Sequence, residues 1–152
     1  MLKKTRETVA ALVFAFQCVL CHSQSSTDHD MWGNWYPGYL GDVAEVYTEF
    51  FIDASKIYYF YSTTESIVPR PYYISNSKLY IDRSNNREFE VLGEISISND
   101  TLYIANGAGL SFFLRQKEKP NLKDVIDNYF SFDAFFEGYL SRAAHWNEKK
   151  YK

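Results

Sequence analysis

Hydrophobic and polar residues alternate along the chain up to Pro120, which is the period of β-strands and not of helices. In VYTEFFI, residues 46–52, alternation places Phe50 and Ile52 on one face and Phe51 on the other. β-branched and aromatic residues dominate such runs, and glycine and proline stand between them. The pattern predicts a domain made of short strands.

One eight-residue phrase occurs three times in this region. It reads IDASKIYY at residues 52–59, ISNSKLYI at 74–81 and ISNDTLYI at 97–104. In each copy an aliphatic residue stands on either side of a short polar segment, and a tyrosine follows the second aliphatic residue. This arrangement is typical of a β-hairpin, so the three copies predict six strands.

The polar centre of each phrase is the predicted hairpin turn. Asparagine and aspartate tolerate positive φ, so residues 76–77 and 99–100 suit two-residue turns, whereas Ala-Ser at 54–55 favours a four-residue loop. The turns would pair the flanking aliphatic residues as follows: Ile52 with Ile57, Ile74 with Leu79, and Ile97 with Leu102. Each pair would then lie on one face of the sheet.

Two further strands complete the predicted sheet, GNWY (33–36) before the first hairpin and GLSFFLRQ (109–116) after the last. About eight consecutive antiparallel strands with short connections predict an all-β fold, an up-and-down barrel whose first strand closes onto its last. Closure removes the exposed edges of these strands. Pro69 and Pro71 predict a frayed or bulged strand start, because proline has no N–H to donate.

The period changes to that of a helix after residue 120. Asn121 is placed to cap a short helix over residues 122–130, and Ser131 is placed to cap a longer one. The apolar residues of the longer helix form one stripe: Phe132, Phe135, Phe136, Tyr139, Leu140, Ala143 and Ala144. Its predicted polar face contains Asp133, Glu137, Ser141, Arg142, His145 and Glu148. We expect the apolar stripe to pack on the outer wall of the barrel. Alternation places three aromatic residues on that wall: Phe51, Tyr58 and Phe60.

The first residues have the pattern of a secretory signal peptide. A basic start precedes the apolar run VAALVFAFQCVL, which is too short to span a bilayer, and small residues Cys21 and Ser23 precede a cleavage site. We divide the chain into a signal peptide (1–23), a flexible leader (24–31) and a barrel domain (32–152) without a transmembrane segment. Export would end in the periplasm or outside the cell. Anchoring through an acylated Cys21 is disfavoured, because the leucine before it is not small.

Removal of the signal peptide changes the composition in two ways. It takes both cysteines, so the mature domain has no disulfide, no thiol nucleophile and no thiolate metal site. It also leaves 13 of 16 basic and 18 of 19 acidic residues, a net charge of −5. An acidic chain without a basic cluster is a poor nucleic-acid binder. Aromatic residues make up 18% of the chain, enough to fill an interior and also line a cavity.

Residues that commonly carry catalysis or metal binding form no motif here. His29 falls in the leader and His145 on the polar face of the last helix, so no transition-metal site and no cofactor are expected. No nucleophile elbow surrounds a serine, and the glycine-rich NGAGL segment joins two strands. Several carboxylates are predicted to lie on solvated strand faces: Asp42, Glu45, Glu49, Glu88, Glu90 and Glu94. We therefore expect a protein that is not an enzyme.

Alternation also predicts which side chains face the barrel interior: Val46, Phe50, Ile57, Tyr59, Tyr61, Tyr72, Ile74, Leu79, Ile81, Phe89, Val91, Ile95, Ile97, Leu102, Ile104, Leu110, Phe112 and Leu114. An eight-stranded barrel is either filled by its side chains or holds one small ligand, and the pattern leaves both open. Inward tyrosines favour a ligand or water, since a buried hydroxyl needs a partner. The residues predicted to contact a ligand are Phe50, Tyr59, Tyr61, Tyr72, Phe89 and Phe112.

Gly33 and Trp35 in WGNWY, the antiparallel meander, the helix after the last strand, and Arg115 in FFLRQ together resemble the lipocalins and the wider calycin group. The resemblance implies that Trp35 seals the closed end of the barrel and that Arg115 packs across it in a cation–π contact. In domain style the chain is similar to the small secreted lipocalin-like proteins of Gram-negative bacteria.

Two functions fit these observations. In the first, the exported protein is a non-enzymatic binding module that holds a small apolar or amphipathic molecule in the barrel. In the second, the interior is filled, and the protein is an inhibitor, adhesin or envelope component that binds a protein partner. The second function would use an exposed tyrosine stripe: Tyr47, Tyr73, Tyr80 and Tyr103. Some calycins are enzymes, but no residue pattern here requires that function.

Overall fold

The structure is a computed structural model that describes residues 27–38, 46–84 and 86–150. The predicted signal peptide, the start of the predicted leader, Cys21, Asp42 and Glu45 lie outside these residues. The described elements are, in chain order, α1 (Thr27–Met31), β1 (Gly33–Pro37), β2 (Phe50–Ile52), β3 (Lys56–Tyr61), β4 (Ser66–Ser75), β5 (Lys78–Asp82), β6 (Phe89–Ser98), β7 (Thr101–Asn106), β8 (Gly109–Arg115), α2 (Leu122–Ile126) and α3 (Phe132–Lys150).

The eight strands form a closed barrel in which each strand pairs with its neighbours in the chain, and β1 also pairs with β8. All pairs are antiparallel. Trp35 of β1 lies opposite Phe50 of β2 on one side and opposite Arg115 of β8 on the other. The predicted up-and-down barrel with a C-terminal helix on its wall is confirmed.

The repeated phrase forms hairpins in the predicted register. Residues 76–77 and 99–100 are two-residue turns with positive φ throughout, 51° and 60° in the first and 49° and 60° in the second. The predicted aliphatic pairs are all present. In the first copy, residues 52–59, Asp53 closes the longer loop by accepting hydrogen bonds from the backbone nitrogens of Ser55 and Lys56, each at 2.7 Å. Since the strands alternate in direction, all three turns lie at the end of the barrel where β1 begins.

Two apolar clusters lie on opposite sides of the barrel wall. The inner cluster fills the end of the barrel next to α1 and includes Met31 and Trp35. The outer cluster lies between the wall and helices α2 and α3. Phe60 is its centre, with ring centroids 5.0 Å from Phe135 and 4.7 Å from Tyr139. The prediction that the last helix packs on outward aromatic residues is confirmed.

The helix is rotated from the predicted orientation. Leu140 and Ala144, predicted in its apolar stripe, are exposed, whereas Arg142, predicted on its polar face, is buried. Glu49, predicted to be solvated, is buried as well, and Arg142 is its partner at 2.8 Å. Both predictions were wrong because a charged residue can be buried when its charge is paired, which hydrophobic periodicity does not record. Trp146 takes an inward position on the helix instead.

A bulge in β6 reverses the predicted direction of two side chains. Leu79 pairs with Gly93, but the next residue, Tyr80, pairs with Val91, so Leu92 is the extra residue. Because of the inserted residue, the side chains that precede Leu92 in β6 face the opposite way from the predicted alternation. Phe89 and Val91, predicted to face the interior, therefore lie on the outer wall and are exposed.

Strand β8 has the opposite parity to the predicted one. Leu102 pairs with Phe113 and Ile104 pairs with Ser111, so odd-numbered residues of β8 face the interior. The residues predicted to face the interior lie on the outer wall instead: Leu110, Phe112 and Leu114. The alternation was misleading because the outer wall of β8 is itself partly covered; Phe112, for example, packs against Gly38.

Three smaller predictions were also wrong. Val46, predicted to face the interior, precedes the strand and is 78% exposed. Residues 27–31, predicted to be part of a flexible leader, form α1, and Met31 is fully buried. Strand β4 is continuous through Pro69 and Pro71 and pairs with β3 at both. Residues 66–71 pair with β3 alone, so a proline nitrogen can face the unpaired side.

The β6 bulge brings Gly93 against the neighbouring strand. A Cβ on Gly93 would lie 2.6 Å from the backbone oxygen of Ala105, which cannot move independently of β7. We expect Gly93→Ala to lower the free energy of unfolding by about 1–3 kcal/mol, measured by urea denaturation. Gly107→Ala is the matched control, because its Cβ would meet nothing within 4 Å. Equal denaturation midpoints for the two variants would contradict the prediction.

Candidate functional site

A cavity of about 530 Å³ lies inside the barrel. Its apolar lining comes from five of the strands and from the bulge residue of β6: Phe50, Ile52, Ile57, Leu79, Ile81, Leu92, Leu102, Ile104 and Phe113. Its polar lining residues are Thr48, Tyr59, Tyr61, Arg70, Arg83, Asn106 and Ser111. The interior is therefore not filled by its own side chains.

Trp35 closes the end of the barrel at which the repeated turns lie. Its side chain is fully buried, and its indole Nε1 donates a hydrogen bond of 2.8 Å to the backbone oxygen of Met31. That bond holds α1 against the barrel end, where Met31 is also fully buried. The cavity consequently has an apolar, closed floor.

Arg115 lies directly over Trp35, with 4.2 Å between its guanidinium carbon and the ring centroid. Its nitrogens donate to the backbone oxygens of Trp32 and Asp30, both at 2.7 Å, and its Nε lies 3.2 Å from a carboxylate oxygen of Asp100. One side chain thus ties α1, the β6–β7 turn and the indole together. Cation–π stacking of this kind contributes about 1–2 kcal/mol when it is partly desolvated.

Gly33 makes room for this contact. A Cβ at that position would lie 2.4 Å from a guanidinium nitrogen of Arg115, and the backbone has a φ of 139°. Only glycine adopts such a conformation readily. The structure therefore brings together the three residues that the resemblance assigned to barrel closure.

The opposite end of the cavity is polar. Strands β3, β5 and β7 end there, and Tyr61, Arg83 and Asn106 stand at or just after those ends. Tyr59 lies one inward position deeper than Tyr61, and their ring centroids are 6.5 Å apart. A ligand in this cavity would have an apolar environment near Trp35 and polar partners near the mouth.

Arg70 and Arg83 are lining residues that the sequence analysis did not select. The sequence did contain a signal for Arg70, because it precedes the inward residues Tyr72 and Ile74 by two and four positions. Residues at these spacings lie on the same face of a strand. It was missed because hydrophobic alternation marks inward positions by apolar side chains, and an arginine in phase with them reads as a solvated residue. Arg83 follows the last residue of β5, where no strand pattern assigns a direction.

Burial raises the pKa of the Tyr59 hydroxyl to about 12, and the charges of Arg83 and Arg70 act in the opposite direction. The Tyr59 hydroxyl is therefore protonated at neutral pH and able to donate a hydrogen bond. Its ring contacts Phe50 at a centroid distance of 5.7 Å, which holds it in the wall of the cavity.

The six predicted ligand contacts divide into three groups. Phe50, Tyr59 and Tyr61 line the cavity. Tyr72 faces the interior and packs on the inner cluster, but its hydroxyl donates to the backbone oxygen of Asp53 at 2.7 Å. The remaining two lie on the outer wall, for the reasons of parity given above: Phe89 and Phe112. The aromatic residue of β8 that lines the cavity is Phe113.

A second cavity, of about 570 Å³, lies outside the barrel between α3 and the wall formed by β1 and β8. Its lining includes Tyr36, Glu118, His145 and Lys149. Burial, and secondarily the charge of Glu118, raises the pKa of Tyr36. Its cationic and anionic groups are mixed, so its electrostatics favour no particular class of ligand.

Within residues 27–38, 46–84 and 86–150, no group of three histidine, cysteine, aspartate or glutamate side chains is placed to hold a metal ion. None of the helices in this part of the chain has the length and hydropathy needed to cross a membrane.

Comparison of the chain with protein-family models, with curated proteins and with solved structures gave no match. The fold is a closed eight-stranded antiparallel barrel with a C-terminal helix, an arrangement consistent with a calycin-like fold. Because a fold alone does not specify a function, the cavity is the feature of this protein that bears on what it does.

Proposed function

We propose that this protein is an exported, non-enzymatic binding module of the lipocalin-like type that holds one small apolar or amphipathic molecule inside its barrel. The observation that carries the proposal is the cavity of about 530 Å³, which has an apolar floor and a polar mouth. Pockets that bind small molecules have this size, and a few placed polar groups orient their ligands. Export to the periplasm or the extracellular space follows from the signal-peptide pattern and is part of the proposal.

The affinity would come mainly from apolar burial. Leu79 and Leu102 are almost fully buried and form part of the cavity lining. Each Å² of apolar surface that a ligand removes from water contributes about 25 cal/mol. Trp35 and Arg115 are fixed by hydrogen bonds to the backbone oxygens of Met31, Trp32 and Asp30, so binding needs little reorganisation at this end of the barrel.

Filling the cavity is expected to abolish binding of a neutral apolar probe. Ser111 is a small inward residue of β8 in the cavity lining, so Ser111→Trp places an indole where the ligand would lie. We expect fluorescence titration with N-phenyl-1-naphthylamine to show saturable binding by the unmodified protein. The variant should bind about tenfold or more weakly, the loss that corresponds to 1.4 kcal/mol.

Ser96→Trp is the matched control, since Ser96 is exposed and pairs with Tyr103 on the outer wall. It adds the same side chain outside the barrel and should leave probe affinity unchanged. Circular dichroism establishes that both variants are folded. No saturable binding by the folded protein, or an equal loss in both variants, would overturn the proposal.

The second candidate function is binding of a protein partner through exposed aromatic residues. Tyr73 and Tyr80 stack on the outer wall at a centroid distance of 4.6 Å, and Phe89 contacts Tyr73 edge-on at 5.0 Å. The predicted tyrosine stripe is not one surface, however, because Tyr47 is buried under α3. Absence of saturable probe binding by the folded protein would favour this second function.

A further inference from the structure

Two arginines occupy neighbouring positions on the cavity wall. Tyr72 of β4 pairs with Ile81 of β5, and both face inward. Arg70 is the next inward residue of β4 before Tyr72, and Arg83 lies two residues beyond Ile81, just after the end of β5. Both line the cavity.

The described carboxylates pair with only one of these two cations. Arg70 forms no ion pair with any carboxylate in the described part of the chain. Arg83 has one carboxylate neighbour, Glu90 at 3.7 Å, and both side chains of that pair are largely exposed. Arg70 and Arg83 line the same cavity, and like charges at close range repel each other.

A third polar side chain, that of Tyr59, lines the same cavity as the two cations. Burial raises the pKa of its hydroxyl to about 12, although the charges of Arg83 and Arg70 lower it, so the hydroxyl is protonated at neutral pH. Two guanidinium groups and one hydroxyl together offer only hydrogen-bond donors toward an anion. Carboxylates accept such bonds in pairs from a guanidinium, with charge assistance.

We infer that the ligand of this cavity is an amphipathic carboxylate, whose head group lies between Arg70 and Arg83 and whose apolar tail extends toward Trp35. This inference rests on the proposed function and narrows it to one class of ligand. The carboxylate would accept hydrogen bonds from the two arginines and from Tyr59, and it would relieve their mutual repulsion. The tail would lie among the aliphatic side chains of the floor, such as Ile52 and Leu102.

Displacement of bound N-phenyl-1-naphthylamine by two ligands of equal chain length tests the inference. Dodecanoic acid and dodecan-1-ol share the same tail and differ in the charge of the head group. At neutral pH and below their aggregation concentrations, we expect the acid to displace the probe at a concentration about tenfold lower or more, the effect of charge-assisted hydrogen bonds. The preference should decrease with added salt, because the Arg83 side chain is largely exposed.

Arginine variants locate the head group. Arg70→Gln and Arg83→Gln are each expected to weaken dodecanoate binding about tenfold more than they weaken binding of the neutral probe. Arg70→Lys retains the charge but not the paired donors. Its affinity for dodecanoate should therefore lie between those of the unmodified protein and Arg70→Gln. Arg87→Gln makes the same charge change at an exposed residue outside the lining, and it should leave the preference for the acid unchanged.

The outcomes separate the inference from the proposed function. If the neutral probe binds and the acid and the alcohol displace it equally, the cavity is a binding site but the carboxylate inference is wrong. If Arg87→Gln weakens dodecanoate binding as much as Arg70→Gln does, the inference is also overturned. General attraction by positive charge would then explain the preference for the acid over the alcohol. If the neutral probe does not bind at all, both fail. If Arg70→Gln unfolds and therefore loses probe binding, two other measurements test the inference. These are the effect of Arg83→Gln on dodecanoate binding and the comparison of the acid with the alcohol.

Discussion

Replacement of Arg142 by methionine is expected to lower the free energy of unfolding by about 3–5 kcal/mol, because it leaves a buried carboxylate without its cation. The carboxylate belongs to Glu49, which is 1% exposed, and Arg142 is itself 9% exposed. Two hydrogen bonds join them, from Nε to Oε1 at 2.8 Å and from Nη2 to Oε2 at 3.1 Å. This paired geometry fixes α3 against the segment that leads into β2.

The surrounding hydrogen bonds make the pair part of a network. The Tyr47 hydroxyl donates to Oε1 of Glu49 at 2.5 Å, and the Tyr139 hydroxyl donates to the backbone oxygen of Tyr47 at 2.8 Å. Burial, followed by the charge of Glu49, raises the pKa of Tyr47 above its ordinary value. Burial alone would lower the pKa of Arg142, but the hydrogen bonds and charge of Glu49 raise it. Both groups therefore keep their protons at neutral pH, and Glu49 accepts from each.

Urea denaturation followed by circular dichroism measures the effect. Lys149→Met removes a cation from an exposed position of the same helix and should change the free energy of unfolding by no more than about 0.5 kcal/mol. A triple variant, Tyr47→Phe with Glu49→Leu and Arg142→Met, removes all the buried polar partners and should recover most of the stability lost in Arg142→Met. Equal stability of Arg142→Met and Lys149→Met would show that the pair does not hold the helix.

Trp35→Ala is the other large expected effect, a loss of about 3–5 kcal/mol in the free energy of unfolding. The side chain is fully buried, so its removal creates a void at the closed end of the barrel. It also deprives the Met31 backbone oxygen of its donor and Arg115 of the ring beneath it. Since α1 is held by these contacts, it should detach before the rest of the barrel unfolds.

The measurement is again urea denaturation, with hydrogen exchange at the amides of α1 as a local readout. Tyr129→Ala removes an aromatic ring that is 73% exposed and should change stability by no more than about 0.5 kcal/mol. Trp35→Phe keeps most of the packing but lacks the N–H. Its loss of free energy of unfolding should therefore lie between those of Trp35→Ala and Tyr129→Ala. A Trp35→Ala variant as stable as Tyr129→Ala would mean that the indole does not close the barrel.

The prediction of architecture from sequence succeeded where the signal was local. Asn76 and Asn99 specify two-residue turns because their side chains tolerate positive φ, and each turn sets the register of its hairpin. Asn121 and Ser131 are found capping α2 and α3 as expected. Hairpin turns and helix caps depend on the backbone preferences of a few neighbouring residues, and these preferences change little with the tertiary environment.

The prediction of the site failed where one inserted residue changed the direction of its neighbours in the strand. The bulge at Leu92 reverses Phe89, which precedes it, and the alternation alone does not say which of the adjacent apolar residues Val91 and Leu92 is the extra one. In β8 both faces carry apolar residues, so parity alone could not choose Phe113 over Phe112. Two of the six predicted ligand contacts were lost for these reasons.

The amino-acid sequence by itself determined the strands, the hairpin turns, the closed antiparallel order and the final helix, because these follow from periodicity and turn chemistry along the chain. Only the tertiary structure decided that the interior holds a cavity, that Arg70 and Arg83 line it together, and that Glu49 is buried against Arg142. The physical reason is that a cavity and an ion pair are properties of side chains distant in sequence. Their distances depend on barrel closure, on the bulge and on the rotation of α3.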